Sequence, residues 1–420
     1  MTEDPEAGDD EVRRQYEALP YPARDPADEA RRLITGSPSH LLEIEHYVFA
    51  GHRAGPIRAL VAGGGTGDAA IMLAQQLADR GEGGEVAYLD LSEASLAVAR
   101  ARAEARGLAN IAFHRGSLLD LAEIGLGPFD YIDCCGVLHH LEDPAAGLAV
   151  LRQVLAAGGG MGLMLYGALG RTGVYPLQQA LRRLAGEDEM AARLALARRL
   201  LDDLPESNWF RRNPYLGDHR SGGDAGLYDL LLHPRDRAYR VAEIGALAAG
   251  AGLRISGFVP GLAYDPATYL SDRGLRERAA ALEPLAAAAL AEELAGSLKS
   301  HVFYLVEEDD RTGGQALSRP ELVASLRETE AAELARALAK SPRLKLDLDG
   351  VETRFELPDG AAEVIRLVDG KRSLNEIHQA LRARNPRLTE AAFEALFAKI
   401  HAVLGPLNIL LFAGPGAPDR

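Results

Sequence analysis

Short apolar runs alternate with longer amphipathic stretches between residues 57 and 166. Apolar side chains in the stretches recur at helical spacing, as at Ile71, Ala74 and Leu77, whereas the short runs are typical of buried strands. Strands that alternate with helices form parallel sheets covered by helices on both faces. The pattern therefore predicts an α/β fold with strands at residues 57–62, 86–91, 111–114, 131–135 and 161–166.

The alternation stops after residue 166, and the remaining chain divides into further predicted segments. We expect a helical substrate cap inserted at 167–240, after which a helix, a candidate strand at 253–258 and a clear strand at 301–306 complete a domain spanning 56–308. An acidic start predicts a disordered tail over 1–10, and prolines break a helical N-terminal lid over 11–55. A charged linker is expected at 309–318, followed by a small α+β interaction domain at 319–420 that begins with an amphipathic helix over 322–339.

Composition and charge exclude several classes of protein. Of the 420 residues, 47% are hydrophobic and 25% are charged, which is ordinary for a globular protein. The net charge of -15 gives no general attraction to nucleic acid or to an anionic membrane. Residues 361–400 hold seven Lys/Arg against five Asp/Glu, so nucleic acid is not an expected partner of the C-terminal domain either.

Cysteine usage and the N-terminus predict the compartment. The two cysteines, Cys134 and Cys135, are neighbours and cannot pair without strain, so no disulfide framework is expected. The acidic N-terminus lacks the basic and then apolar layout of a signal peptide, and no apolar stretch approaches the length that spans a bilayer. We therefore expect a cytoplasmic protein without a membrane partner.

A glycine-rich turn joins the first predicted strand to the first helix. Gly63, Gly65 and Gly67 allow a tight turn that brings backbone N–H groups close to a ligand, in front of a helix N-terminus. The dinucleotide fingerprint needs a small residue at position 68, where this chain has Asp68. An ordinary strand-to-helix turn would use the same glycines.

Asp90 ends the second predicted strand, 23 residues after Gly67. An acid at the carboxyl edge of a parallel sheet can accept both hydroxyls of a ribose. It could instead cap the following helix, and it does not distinguish a dinucleotide from S-adenosylmethionine, because both carry a ribose.

Two further segments resemble motifs of a known family. Residues 113–120, FHRGSLLD, and residues 129–144, FDYIDCCGVLHHLEDP, resemble the third and fourth motifs of class I S-adenosylmethionine-dependent methyltransferases. Together with the glycine turn and Asp90, the resemblance covers residues 57–166 in order. It implies a Rossmann-like, seven-stranded sheet whose last strand, here residues 301–306, is antiparallel, and it implies S-adenosylmethionine as the cofactor.

The resemblance also implies roles for particular residues. Gly63, Gly65 and Gly67 would approach the methionine part of the cofactor, and Asp90 would bind its ribose. Adenine would be flanked by Leu91, Ser117 and Leu118, and the sulfonium by Cys135 and Gly136. Val61 and Ser117 stand where the family usually has acids. With Val61 the cofactor's ammonium would lack its common acidic partner, whereas Ser117 could still hydrogen-bond adenine.

Weaker resemblances concern the two ends of the chain. Residues 16–22, YEALPYP, are similar to an element that forms a lid over the cofactor in some bacterial methyltransferases, which would place Tyr16 or Tyr21 near the methyl donor. A structural turn of proline and aromatic residues is the alternative. Residues 364–377 resemble the winged-helix-like PqqD domains, which implies a peptide or protein partner for the C-terminal domain.

Candidate catalytic residues are His139 and His140, which lie within the fourth motif at the rim of the fourth predicted strand. A base is needed only when the methyl acceptor must lose a proton. The predicted cap concentrates polar and aromatic residues that could form an acceptor pocket. Four of them could in principle chelate a metal, but their spacing matches no zinc signature, so we expect none: His219, Asp224, Asp229 and His233.

The sequence supports a methyltransferase acting on a small-molecule or peptide or protein acceptor. The main alternative is a non-catalytic nucleoside-binding scaffold or regulatory protein, which the departure at Val61 and the absence of a compelling base would favour. A nicotinamide-dependent oxidoreductase is disfavoured by Asp68 and by the fourth motif.

Overall fold

A seven-stranded sheet organises the first 308 residues of the chain. In the computed structural model, which describes residues 5–51, 55–186, 188–308, 319–348 and 351–413, its strands are β1 (Ile57–Ala62), β2 (Gly84–Asp90), β3 (Ile111–Arg115), β4 (Phe129–Cys135), β5 (Leu155–Tyr166), β6 (Leu253–Val259) and β7 (Ser300–Glu307). They lie in the order β3-β2-β1-β4-β5-β7-β6. The first five pair in parallel, and β7 runs antiparallel to both neighbours. The predicted sheet and its antiparallel last strand are confirmed.

Helices cover both faces of this sheet. In the first 308 residues they are α1 (Pro5–Ala18), α2 (Leu41–Tyr47), α3 (Asp68–Arg80), α4 (Glu93–Arg106), α5 (Leu121–Ile124), α6 (Pro144–Gln153), α7 (Val174–Ala185), α8 (Met190–Asp203), α9 (Trp209–Arg212), α10 (Asp218–Ser221), α11 (Gly223–Leu231), α12 (Val241–Gly250), α13 (Arg273–Ala279) and α14 (Pro284–Ala295). Because side chains alternate along a strand, β1 places Leu60 in one apolar core and Val61 in the other. This burial on both faces fixes the positions of the strand ends.

Local sequence explains where the helices around the sheet begin and end. Ser92 accepts a hydrogen bond from the amide of Ser95 and so starts α4, and Gly107 ends it in the left-handed conformation. Asp143 caps α6 in the same way, with Pro144 at its first position. These caps hold the strand-to-helix loops at the carboxyl edge of the sheet.

The N-terminal segment differs from the prediction. The tail expected over residues 1–10 is wrong from residue 5 onward, because α1 spans Pro5–Ala18, and residues 1–4 lie outside the described part of the chain. The compositional argument considered only the burial of apolar surface, whereas a helix forms its backbone hydrogen bonds within its own segment. The rest of the segment crosses the sheet edge as turns and the short helix α2.

Between β5 and α12 the chain forms α7 to α11, and the helices share an apolar core of their own. Its members include Leu177, Leu181, Phe210, Leu227 and Leu231. The region expected to form a helical cap at 167–240 is therefore helical in the structure. An isolated bridge from Gly167 to Tyr239 closes the base of the insertion.

The C-terminal region has a separate core and two small sheets. Its elements are β8 (Val323–Leu326), α15 (Ala331–Lys340), β9 (Arg343–Leu348), β10 (Val351–Glu356), α16 (Ala361–Ile365), α17 (Leu374–Arg382), α18 (Glu390–Leu404) and β11 (Leu410–Ala413). β8 pairs antiparallel with β11, and β9 with β10. The helix expected over 322–339 is wrong at its start, since residues 323–326 form a strand buried against β11. The linker expected at 309–318 lies outside the described residues.

A buried carboxylate joins the N-terminal segment, the sheet and the C-terminal region. Glu43 of α2 is fully buried and accepts hydrogen bonds from Ser37 Oγ at 2.7 Å, Tyr304 Oη at 2.7 Å and Asn408 Nδ2 at 2.5 Å. Its carboxylate also pairs with Arg327 Nε at 2.7 Å. We refer to these five residues as the Glu43 junction.

Apolar contacts surround the Glu43 junction. Leu42 packs on Leu411 and Ala413 of β11, and the His46 ring stacks on Phe412 with centroids 5.8 Å apart. The C-terminal region is thus held against α2 by both charge and packing.

No helix in the described part of the chain combines the length and apolar composition needed to cross a bilayer.

Replacing Glu43 with glutamine should destabilise the protein by about 3 kcal/mol. The glutamine keeps the volume but leaves Arg327 without its anion in a largely buried position. Urea unfolding measures the loss. Glu356→Gln on the exposed hairpin is the matched control, and equal stability of the two variants would contradict the role assigned to the junction.

Candidate active site

A cavity of about 410 Å³ lies between the carboxyl ends of the parallel strands and the N-terminal segment. The glycine turn after β1 and the loops after β2, β3 and β4 form one side, and the N-terminal segment covers the other. Most residues that the sequence assigned to a cofactor site line this cavity: Tyr16, Tyr21, Gly63, Gly65, Asp90, Leu91, Ser117, Leu118, Cys135 and Gly136. The strand order brings these separate motifs together.

Two of the three predicted glycines face the cavity. Gly65 has a φ of +52°, and a Cβ there would come within 2.7 Å of the carbonyl oxygen of Tyr21. Gly67 does not line the cavity. It starts α3 with a φ of +102°, and a Cβ would lie 2.9 Å from that of Ala99, so its place in the structure is in helix packing.

Asp90 is held rigidly at the edge of the sheet. Its carboxylate accepts backbone N–H bonds from Gly65 at 2.7 Å and from Ser92 at 2.8 Å. Burial raises the pKa of Asp90, whereas the hydrogen bonds from the backbone N–H groups of Ser92 and Gly65 lower it. A carboxylate has about four acceptor positions, so Asp90 can still accept hydroxyl groups from a ligand in the cavity.

The N-terminal segment is fastened to the glycine turn. Glu17 accepts the amide N–H groups of Glu93 and Ala94 at the start of α4, at 2.8 and 3.0 Å. Thr66 Oγ1 donates to the carbonyl oxygen of Pro22 at 2.7 Å. The segment that carries Tyr16 and Tyr21 therefore closes one wall of the cavity.

Asp68 secures the same segment by charge. It pairs with Arg24 at 2.6 Å and with the buried Arg102 at 2.7 Å. These partners hold the pKa of Asp68 below its usual value, although burial acts against them. The residue that departs from the dinucleotide fingerprint thus connects the lid to α3 and α4.

The two predicted catalytic histidines occupy different environments. His139 is buried, does not line the cavity, and stacks on Tyr166 with ring centroids 3.9 Å apart. His140 lines the cavity, and its Nδ1 lies 2.9 Å from the carbonyl oxygen of Arg235. Since a carbonyl can only accept, Nδ1 carries the proton, and Nε2 of the neutral ring has a free lone pair. Burial lowers the pKa of His140, so the ring is neutral at pH 7.

A polar cluster forms the end of the cavity near His140. Asp229 accepts hydrogen bonds from Tyr16 Oη at 3.1 Å and Tyr166 Oη at 2.8 Å. His233 stacks on His140 at 3.9 Å, and its Nε2 is 3.4 Å from Tyr16 Oη. The cluster joins α1, β5 and the helical insertion. Tyr16 therefore belongs both to the wall that the N-terminal segment forms and to the polar end of the cavity.

The cluster has the spacing of a metal site but not its free ligands. One ligand atom from each of His140, Asp229 and His233 lies within 4.8 Å of the others. The Nδ1 of His233 accepts the amide N–H of Arg235 at 3.1 Å, so its Nε2 carries the proton when the ring is neutral. Asp229 is already occupied by two hydroxyl donors. These groups therefore fit a hydrogen-bonded network better than a cation.

Several residues of the cavity were not among those predicted from the sequence. Tyr166 was assigned to a strand only, although it lines the cavity and bonds Asp229. Asp133 and Ser39 also face the cavity, and Ser39 Oγ donates to Asp133 Oδ2 at 2.7 Å. Asp133 lies within the fourth motif, but no local pattern marks its contact with Ser39, because tertiary packing of the N-terminal segment on β4 creates that contact.

The strand order and the position of the cavity define a class I methyltransferase fold. Residues 60–161 match a family model described as a methyltransferase domain. The chain therefore contains a methyltransferase domain, and the resemblance stated from its motifs is confirmed.

Known proteins extend this comparison. The chain is 36% identical over 222 residues to an uncharacterized protein of Synechococcus sp. The matched region covers 50% of this chain and 51% of the relative. The chain is also 32% identical over 145 residues to a ubiquinone biosynthesis O-methyltransferase of Acinetobacter baylyi, covering 34% of this chain and 57% of that enzyme. The matches thus span about half the length of these curated relatives.

A solved structure resembles nearly the whole fold. PKMT2 from Rickettsia typhi superposes with a TM-score of 0.62 at 14% identity, covering 90% of this chain and 76% of that one. At this identity the likeness concerns the fold, and its coverage extends beyond the methyltransferase domain.

Replacing Arg24 with alanine should loosen the lid. The change removes three hydrogen bonds to Asp68, so the amides of Glu93 and Ala94, which Glu17 of the same segment protects, should exchange hydrogen about tenfold faster. Hydrogen exchange by mass spectrometry measures the rate. Arg31→Ala removes an exposed pair as control, and unchanged exchange at residues 93–94 in the Arg24 variant would refute the coupling.

Proposed function

We propose that the chain is an S-adenosylmethionine-dependent methyltransferase whose acceptor group reaches the cavity at the His140 end. The observation that carries the proposal is the single cavity in which the glycine turn, Asp90, the lid tyrosines and His140 meet. The acceptor is a small molecule or a peptide or protein side chain.

The donor set of the cavity fits this cofactor. Asp90 offers acceptor positions for a ribose diol, and Leu91, Leu118 and Leu141 offer apolar surfaces for a flat base. A Cβ at Gly63 would clash with the Val137 side chain, and one at Gly65 would come within 2.7 Å of the Tyr21 carbonyl oxygen, so only glycine fits these two positions of the turn. When bound, the cofactor supplies a methyl group made electrophilic by the sulfonium.

His140 is the residue best placed to take a proton from an acceptor. Its Nδ1 is fixed by the Arg235 carbonyl, so its Nε2 lone pair can receive the proton of an acceptor hydroxyl or amine. Tyr16, Tyr166 and Asp229 surround the same end and can orient the acceptor. The likeness to an O-methyltransferase supports an acceptor that loses a proton. His139 supports the ring of Tyr166 from behind and is a positioning residue.

The second candidate is a nucleoside-binding scaffold without turnover. It is favoured by Val61, which provides no anion at the position where the family usually has one. The two candidates differ in methyl transfer but share cofactor binding. Incubation with S-[methyl-³H]adenosylmethionine and panels of phenols, catechols and peptides distinguishes them, because only the enzyme labels an acceptor.

Replacing Asp90 with alanine should weaken binding of S-adenosylhomocysteine at least tenfold, or about 1.4 kcal/mol. The change removes the proposed acceptor of the ribose hydroxyls. Isothermal titration measures the affinity, with NADH as a control ligand and the exposed Asp120→Ala as a control variant. Absence of binding to the unchanged protein would reject the proposed function.

Replacing His140 with asparagine should lower kcat by about 10²- to 10⁴-fold with the acceptor found in the screen. Asparagine can still donate to the Arg235 carbonyl, but it has no counterpart of Nε2. Cofactor affinity should remain unchanged. Because burial lowers the pKa of His140, activity should persist below pH 6.5 and fall only as the ring becomes protonated at more acidic pH. An unchanged kcat would exclude His140 as the base.

A further inference from the structure

Val61 stands where the family usually has an acid, and an acidic residue lies beside it on the adjacent strand. In the parallel pairing of β1 and β4, Val61 lies directly beside Asp133. Side chains at paired positions of adjacent strands point to the same face of the sheet. Both residues accordingly line the cavity, although they are 72 positions apart in the sequence.

Asp133 is a buried carboxyl without a cationic partner among the described residues. Only 1% of its surface is exposed, and it receives the Ser39 hydroxyl at 2.7 Å and the backbone N–H of Cys135. Burial raises the pKa of Asp133 to about 7. A charged carboxylate is costly to bury without a cation. One side of this group faces the cavity, where a ligand can supply that cation.

We propose that Asp133, oriented by Ser39, binds the ammonium group of the cofactor's methionine in place of the acid that Val61 does not provide. This assignment rests on the proposed function. It places the anion on the neighbouring strand at the same level of the sheet, so the ammonium keeps a carboxylate partner. The departure at Val61 is therefore compensated by this chain's own sequence.

Ser39 orients the carboxylate of Asp133. Its hydroxyl donates to Oδ2 and leaves the remaining lone pairs of Asp133 for the ammonium. Ser39 is itself buried in the N-terminal segment, just before α2. The ammonium site thus joins the sheet to the segment that covers the cavity.

The test compares two ligands that differ in the amino-acid part. S-adenosylhomocysteine carries the ammonium, whereas 5′-methylthioadenosine has the same nucleoside without it. Asp133→Asn keeps the acceptor for Ser39 but removes the charge. Isothermal titration should show S-adenosylhomocysteine weakened at least tenfold, about 1.4 kcal/mol, with binding of 5′-methylthioadenosine unchanged. Asp90→Ala serves as the comparison and should weaken both ligands.

The titrations distinguish failure of the Asp133 assignment from failure of the proposed function. Equal weakening of both ligands by Asp133→Asn, or no weakening of either, overturns the assignment and leaves the proposed function in place. Absence of binding of both ligands to the unchanged protein overturns the proposed function and the assignment together.

A second comparison covers the case in which Asp133→Asn does not fold. The unchanged protein should bind the deaminated analogue of S-adenosylhomocysteine at least tenfold more weakly than S-adenosylhomocysteine itself. Ser39→Ala should reduce this preference. Equal affinity of the unchanged protein for the two ligands overturns the assignment.

Discussion

The buried carboxylate of Glu43 is the constraint on which the arrangement of the chain depends. A buried anion is tolerated only when its lone pairs are satisfied, and here the donors come from three parts of the molecule. Tyr304 belongs to the central sheet, Ser37 to the N-terminal segment, and Asn408 to the C-terminal region. Each part therefore needs the other two in place, so their relative positions are set by one group and by the apolar contacts around it.

Ion pairs also hold the N-terminal segment over the cavity. Asp68 is held between Arg24 of the lid and Arg102 of α4, and Arg102 also pairs with the buried Glu29. These contacts hold the N-terminal segment against the helices that follow the glycine turn and Asp90. At the polar end of the cavity, Tyr16 of the N-terminal segment donates a hydrogen bond to Asp229.

Much of the fold could be predicted because its local signals agree. The strand at 57–62 is apolar and followed by glycines, and it forms β1 with the same bounds. The segment at 322–326 was assigned incorrectly because a run of five residues fits a buried strand as well as a helix, and its pairing with β11 lies more than 80 residues away. Asp90 was found through its place in a motif. Asp133 also lies in a motif, but its place in the cavity, like that of Tyr166, depends on strand pairing and on the packing of distant segments, which leave no periodic signal.

Ser37 and Ser39 stand two residues apart on one short stretch of backbone, and they face different regions. Ser37 bonds Glu43, which holds the C-terminal region, while Ser39 bonds Asp133 in the wall of the cavity. A span of three residues therefore contacts both the buried carboxylate that holds the C-terminal region and the carboxylate in the wall of the cavity. The C-terminal region, although last in the sequence, is thus joined through Glu43 to the same short stretch of backbone that supports the wall of the cavity.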